Sequence, residues 1–188
     1  MTMKRIALAA SLVLVGIVLA GALSAGRACA HDPRFACSPR PASNPIVVED
    51  PAKSWAFYGD LAAGQEDRYT VIAHGALRVP VQVLLDARDA ANPARPIALV
   101  TGSANRLIAR LDLSKSTAFY EPFSRVSYLA SPGRTIALEA GTSTVVVSMR
   151  GGSAPQRYVF AIGSEERFGV AEMPYLLGAV YRIHQRKF

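Results

Sequence analysis

Leu77-Arg78-Val79-Pro80-Val81-Gln82-Val83-Leu84-Leu85 decides the fold class. Apolar Leu77, Val79, Val81, Val83 and Leu85 alternate with Arg78, Pro80 and Gln82. Side chains on a strand point to opposite faces in turn, so period-two alternation marks a strand with one buried face. Pro80 inside the run suggests an edge strand or a bulge, because proline donates no ladder hydrogen bond.

The same reading extends outward. Upstream, Trp55–Leu61 and Arg68–His74 are aromatic or alternating segments, the second with Tyr69, Val71 and Ala73 on one side. Downstream, Pro96–Val100, Ala118–Leu129 (broken by Pro122), Arg134–Leu138, Ser143–Met149 and Arg157–Ile162 are strand-like. Asn105–Leu113 fits either a helical turn or a loop. The last two strands flank Gly151-Gly152 and read as an antiparallel hairpin. About eight short strands at this spacing predict an all-β, antiparallel β-sandwich or jelly roll over residues 46–163.

The two ends differ from the middle. Lys4 and Arg5 precede an uncharged run from Ile6 to Gly26, then Arg27 and Ala28-Cys29-Ala30. Residues 1–30 therefore read as a signal peptide cleaved after Ala30, or as an anchor helix left in the inner membrane. Both place the remainder outside the cytoplasm, in the periplasm or secreted. Residues 31–45 carry Pro33, Pro39, Pro41 and Pro45 and read as an extended or irregular leader, with Cys37 as a free thiol if Cys29 departs. Residues 164–188 read as an amphipathic helix and basic tail. Met173, Leu176, Leu177, Val180, Tyr181 and His184 share a helical face, expected to pack on the sandwich. Arg182, Arg186 and Lys187 are expected to project toward a partner or an anionic membrane.

Composition narrows the function classes. Of 188 residues, 51% are hydrophobic and 19% charged, which excludes a disordered chain. Beyond residue 30 the excess of basic over acidic residues is modest and no dense basic block interrupts the strands, so nucleic-acid binding is a poor reading. Two cysteines exclude a four-cysteine zinc site. No serine-hydrolase elbow, metalloprotease helix motif or phosphate-binding glycine loop is present, and no reaction can be derived from the sequence.

The order Tyr58-Gly59-Asp60-Leu61, Gly64–Val71 and Gly75–Val79, followed by Ala140-Gly141-Thr142 through Val147 and Arg157–Gly163, resembles the bacterial pre-peptidase C-terminal domain over about residues 54–163. Tyr120–Ser124 and Glu165–Gly169 are similar to segments of uncharacterised bacterial envelope proteins. The resemblance implies a non-catalytic secreted jelly-roll module that accompanies or anchors other components. The expected function is a non-enzymatic accessory module of the cell envelope, without a cofactor, that recognises a protein, a polysaccharide or a membrane surface. The alternative is a periplasmic copper protein. In it, a mature N-terminal His31 supplies amine and imidazole nitrogens, and His74 completes the site in preference to His184. Asp60, Glu66 and Asp67 near one turn, and Asp86 and Asp89 near another, are acids a Ca²⁺ ion could use but read better as solvated turn acids. Trp55, Phe57 and Tyr58 would stack on a sugar if exposed, although their alternation favours core.

Overall fold

A computed structural model describes residues 31–187 apart from 123 and 153, and the backbone but not the side chain of residue 170. The signal or anchor reading of residues 1–30 lies outside the described residues.

The strands are β1 (Asp32–Phe35), β2 (Ile46–Val48), β3 (Trp55–Leu61), β4 (Glu66–Ala73), β5 (Leu77–Asp86) and β6 (Arg95–Thr101). They continue as β7 (Leu107–Leu111), β8 (Thr117–Glu121), β9 (Val126–Ala130), β10 (Arg134–Leu138), β11 (Gly141–Arg150) and β12 (Gln156–Ile162), followed by helix α1 (Met173–His184). One sheet has the order β1-β3-β12-β5-β9-β8, with β10 also paired to β5; the other has the order β2-β4-β11-β6-β7. They pack face to face. Phe57, Val81, Val83 and Phe160 of the first sheet meet Tyr69, Val71, Val100 and Val145 of the second in one buried core.

The β5 alternation is realised as expected. Val79, Val81, Val83 and Leu85 are all buried in that core. The position of β5 is not. It is a central strand, with β12 on one side and β10 and β9 on the other. Pro80 is tolerated because the β12 ladder ends at Ile162↔Val81. The Pro80 carbonyl accepts from the Gly163 amide beyond it, so its nitrogen faces a side where no ladder donor is needed.

Three further expectations are corrected. The sheets are mixed rather than purely antiparallel, because β1–β3 and β2–β4 are parallel pairs. Strands β11 and β12 do not form a hairpin. β11 pairs with β4 and β6, and β12 with β3 and β5, so the chain passes from one sheet to the other between them. Two alternating strands joined by a glycine-rich turn satisfy both arrangements, and only the pairing partners distinguish them. Asn105–Leu113 contains strand β7 instead of a helical turn.

Residues 31–45, expected to be an irregular leader, supply an edge strand of the first sheet. The Asp32 and Ala36 amides donate to the Ser54 and Tyr58 carbonyls, which leaves Pro33 with its nitrogen facing the open edge. Farther along, Ser38 and Arg40 are tied to Asp67, a fully buried carboxylate on β4. Asp67 accepts from the Ser38 hydroxyl, from the Arg40 amide at 2.5 Å and from the Tyr158 hydroxyl of β12 at 2.5 Å. Tyr158 also meets the Tyr69 hydroxyl at 2.6 Å. One carboxylate thus joins the leader and both sheets.

Gly59 makes room for this network. A Cβ there would stand 2.4 Å from the Tyr158 ring. Gly163, at φ +83°, ends β12 where a Cβ would stand 2.0 Å from the Lys53 carbonyl oxygen. Both positions exclude a side chain by backbone geometry or by a ring that cannot move freely.

Two stability outcomes follow. Val81→Asp places an unpaired charge between the sheets and should cost more than about 4 kcal/mol. Gly59→Ala should cost about 1–3 kcal/mol through overpacking against Tyr158. Chemical denaturation checks both, and wild-type midpoints would contradict the assigned faces.

Candidate functional site

The middle of the first sheet is buried on both faces, whereas its β8 edge is exposed. Its outer face carries Ala56 and Tyr58 from β3, Leu84 from β5, Val126, Tyr128 and Ala130 from β9, and Val159 and Ala161 from β12. An outer strand face is ordinarily polar. Here it forms a second apolar layer, covered by α1 and flanked by β1.

Helix α1 docks through Leu176, Ala179 and Ile183, which are buried. Pro174 sits in its first turn, where a missing amide hydrogen costs little. The helix therefore packs on its own domain, through a stripe that shares Leu176 with the expected face but is rotated from it toward Ala179 and Ile183. Met173, Leu177 and Tyr181 are exposed, the last two by more than 60%. Small Ala179 allows close approach to the sheet, and Ile183 reaches into the Tyr58–Tyr128 layer.

The docking is fastened at both ends. Near the helix start, Glu172 stands within ion-pair distance of Lys53 and Arg34, and Lys53 lies 2.7 Å from buried Asp32. Arg34 lies over the rings of Trp55 and Tyr175, and the Tyr175 hydroxyl donates to the Pro33 carbonyl at 3.0 Å. Beyond the last turn, Arg186 pairs with Asp89 and approaches Asp86. Arg88 binds Asp86 through several hydrogen bonds. Burial raises the Asp86 carboxyl, but the Arg88 hydrogen bonds and charge, with Arg186 behind them, outweigh it and hold the group below its ordinary value.

Between the sheet, α1 and β8 a narrow groove remains, with about 50 Å³ of free space. Tyr58, Tyr128, Phe119, Glu121, His31 and Ile183 are among its walls. The two tyrosines are buried and hydrogen-bonded to each other. Burial raises the Tyr58 hydroxyl well above its ordinary value, and burial pushes Tyr128 up to about 12 against the opposing pull of its hydrogen bonds. A groove with apolar walls, a phenol pair and one carboxylate at its edge suits a mostly apolar ligand with a polar end.

The expected site residues are placed as follows. His31 is half-buried in the groove wall, whereas exposed His74 lines a separate shallow depression beside Asp50 and Arg167. The two histidines expected as copper ligands thus line separate depressions. His184 has its Nδ1 3.3 Å from the Ser124 carbonyl. No group of three or more His, Cys, Asp or Glu side chains able to hold a metal occurs among the described residues. Arg182 lies with its guanidinium carbon 4.0 Å from the centre of the Phe35 ring, and Lys187 is exposed. Arg186 does not project to solvent but is held by Asp89. Asp67 and Asp86 are not solvated turn acids: both are buried and bonded. Phe57 is core, Trp55 is half-buried under two cations, and Tyr58 faces the groove. Sequence reading missed the groove. Its signal was the tract Arg157–Ile162, where Val159 and Ala161 break the polar half of the alternation.

No protein-family model and no curated protein matches the chain. Among solved structures, it is similar to the pre-peptidase C-terminal domain of a collagenase from Bacillus anthracis. The identity is 11% and the TM-score 0.39, over 70% of this chain and 94% of that one.

Buried Tyr58, Tyr69, Tyr128 and Tyr158 all have raised hydroxyl pKa values. The unfolded chain ionises near pH 10, before the folded one, so stability present below pH 10 is lost as pH rises toward 12 and beyond. A melting series from pH 8 to 12 should fall above pH 10, and Tyr58→Phe with Tyr128→Phe should flatten the fall. An unchanged slope in the double variant would contradict the buried phenol pair.

Proposed function

We propose that this chain is a non-enzymatic binding module of the bacterial cell envelope, working outside the cytoplasm. The observation that carries the reading is the second apolar layer: a sheet face covered by its own helix, with a groove left open between them. The sequence supports the address through Lys4, Arg5, the uncharged run to Gly26 and Ala28-Cys29-Ala30. The finer architecture belongs to the same proposal, a jelly roll of the pre-peptidase C-terminal kind, on the strand motifs at Tyr58–Val79 and Ala140–Gly163.

The groove is the binding site in this reading. Tyr58 and Tyr128 form its polar floor, Phe119 and Ile183 its apolar sides, and Glu121 and His31 stand at its edges. Such a site holds a ligand by burial and orients it by one or two hydrogen bonds.

The dye 8-anilinonaphthalene-1-sulfonate reports on apolar grooves and serves as the probe. The native protein should enhance its fluorescence, and Ala161→Phe, which fills the floor, should remove most of the enhancement while melting as a single cooperative unit. Full enhancement in a folded Ala161→Phe variant would remove the groove from the account. For the address, the full chain should be recovered with the envelope or the osmotic-shock fluid, and recovery with the cytoplasm would sink it.

A further inference from the structure

Half of the α1 face that sequence reading assigned to the core is left outside, while Leu176 is buried and Val180 half-buried. Met173, Leu177 and Tyr181 recur at every fourth residue and are exposed. Phe119, also exposed, lines the groove beside the helix together with Val180. Three basic residues border this face: Arg125 in the β8–β9 turn, Arg182 on one flank of the helix and Lys187 just past its end. No carboxylate lies within ion-pair distance of any of them among the described residues. The sequence 173–187 contains no acidic residue. The acids nearest this face are already engaged: Glu172 with Lys53, Asp89 with Arg186, and Glu121 with the Ser124 amide.

We propose that this face lies on an anionic lipid bilayer. Leu177, Tyr181 and Phe119 would enter the interfacial region, with Arg125, Arg182 and Lys187 at the headgroup level. An aromatic and aliphatic stripe bordered by cations without a carboxylate partner, Arg182 among them with its guanidinium over Phe35 and its Nε donating to the Lys187 carbonyl, is the pattern of a helix lying in the membrane plane. The course of the chain agrees. His31 lines the same groove, and only Arg27–Ala30 separate it from the uncharged run ending at Gly26. The five Cα steps from Gly26 to His31 span about 18 Å at most. With that run kept as an anchor, this face is held against the membrane. With the run removed, the face alone supplies the attachment. The inference names the surface met by the envelope module proposed above and rests on that reading only for the address, since lipid binding is measured independently of export and of the groove.

Residues 31–188 contain both sheets, both apolar cores and α1, and are the protein for the test. They should sediment with vesicles of equal parts phosphatidylglycerol and phosphatidylcholine, bind pure phosphatidylcholine at least about tenfold more weakly, and release as salt rises. Leu177→Ser with Tyr181→Ser should weaken binding at least about tenfold without lowering the melting temperature, because both side chains are already in water. Arg125→Glu with Arg182→Glu and Lys187→Glu should weaken it by a similar factor and abolish the salt dependence. Absence of vesicle binding in low salt overturns the proposal, as does binding that survives both sets of substitutions. A concentration-dependent dimer that Leu177→Ser with Tyr181→Ser dissolves, with no lipid binding, assigns the face to a second copy of the chain and also overturns it.

Discussion

The buried carboxylate of Asp67 holds together parts of the chain that local structure would leave apart. It accepts three hydrogen bonds, from the leader at Ser38 and Arg40 and from β12 at Tyr158. An ionised carboxylate removed from water is costly unless such donors replace the lost hydration. The network is therefore cooperative in its consequences, because removing one donor leaves a buried carboxyl group poorly satisfied. Gly59 is part of the same constraint, since Tyr158 reaches Asp67 only where no Cβ blocks its ring.

From that anchor the outer layer is built. Ser38 and Arg40 fix the leader, the leader lays β1 along β3, and β1 offers α1 its docking edge through Pro33, Arg34 and Phe35. The helix then covers the outer face of the first sheet, and the groove is the space it leaves. A short edge strand bearing proline would be weak alone. It is held here by side-chain bonds to Asp67 at one end and by the Asp32–Lys53 pair at the other.

Much of the sandwich was legible in the sequence, and the reason is burial on one face only. β4 and β11 alternate between buried and half-buried positions because only one face of each meets the core, although Val145-Val146-Val147 blurs the pattern in the sequence of β11. β5 alternates over Leu77–Val83 and loses the pattern at Leu84, where the outer layer begins. What sequence reading could not supply was pairing and depth. The β11–β12 connection carries the same local signal as a hairpin. Asp67 resembles a turn acid until Ser38, 29 residues away, and Tyr158, 91 residues away, are brought to it. The helix was misread for a different reason. It is apolar on two adjacent stripes, and the larger residues Leu177 and Tyr181 outweigh Ala179, whose small size is what allows contact.

Asp67 holds the leader and, through it, the helix. Native-state hydrogen exchange on residues 31–188 carrying Asp67→Asn, with Ser38→Ala as the milder change, tests it most directly. Both variants are predicted to exchange the Asp32 and Ala36 amides and those of α1 at least about tenfold faster, the equivalent of one lost hydrogen bond. The β4–β11 ladder should keep more of its protection than β1 and α1 do. Unchanged protection of β1 and α1 in both variants, with the fold intact, would contradict the account.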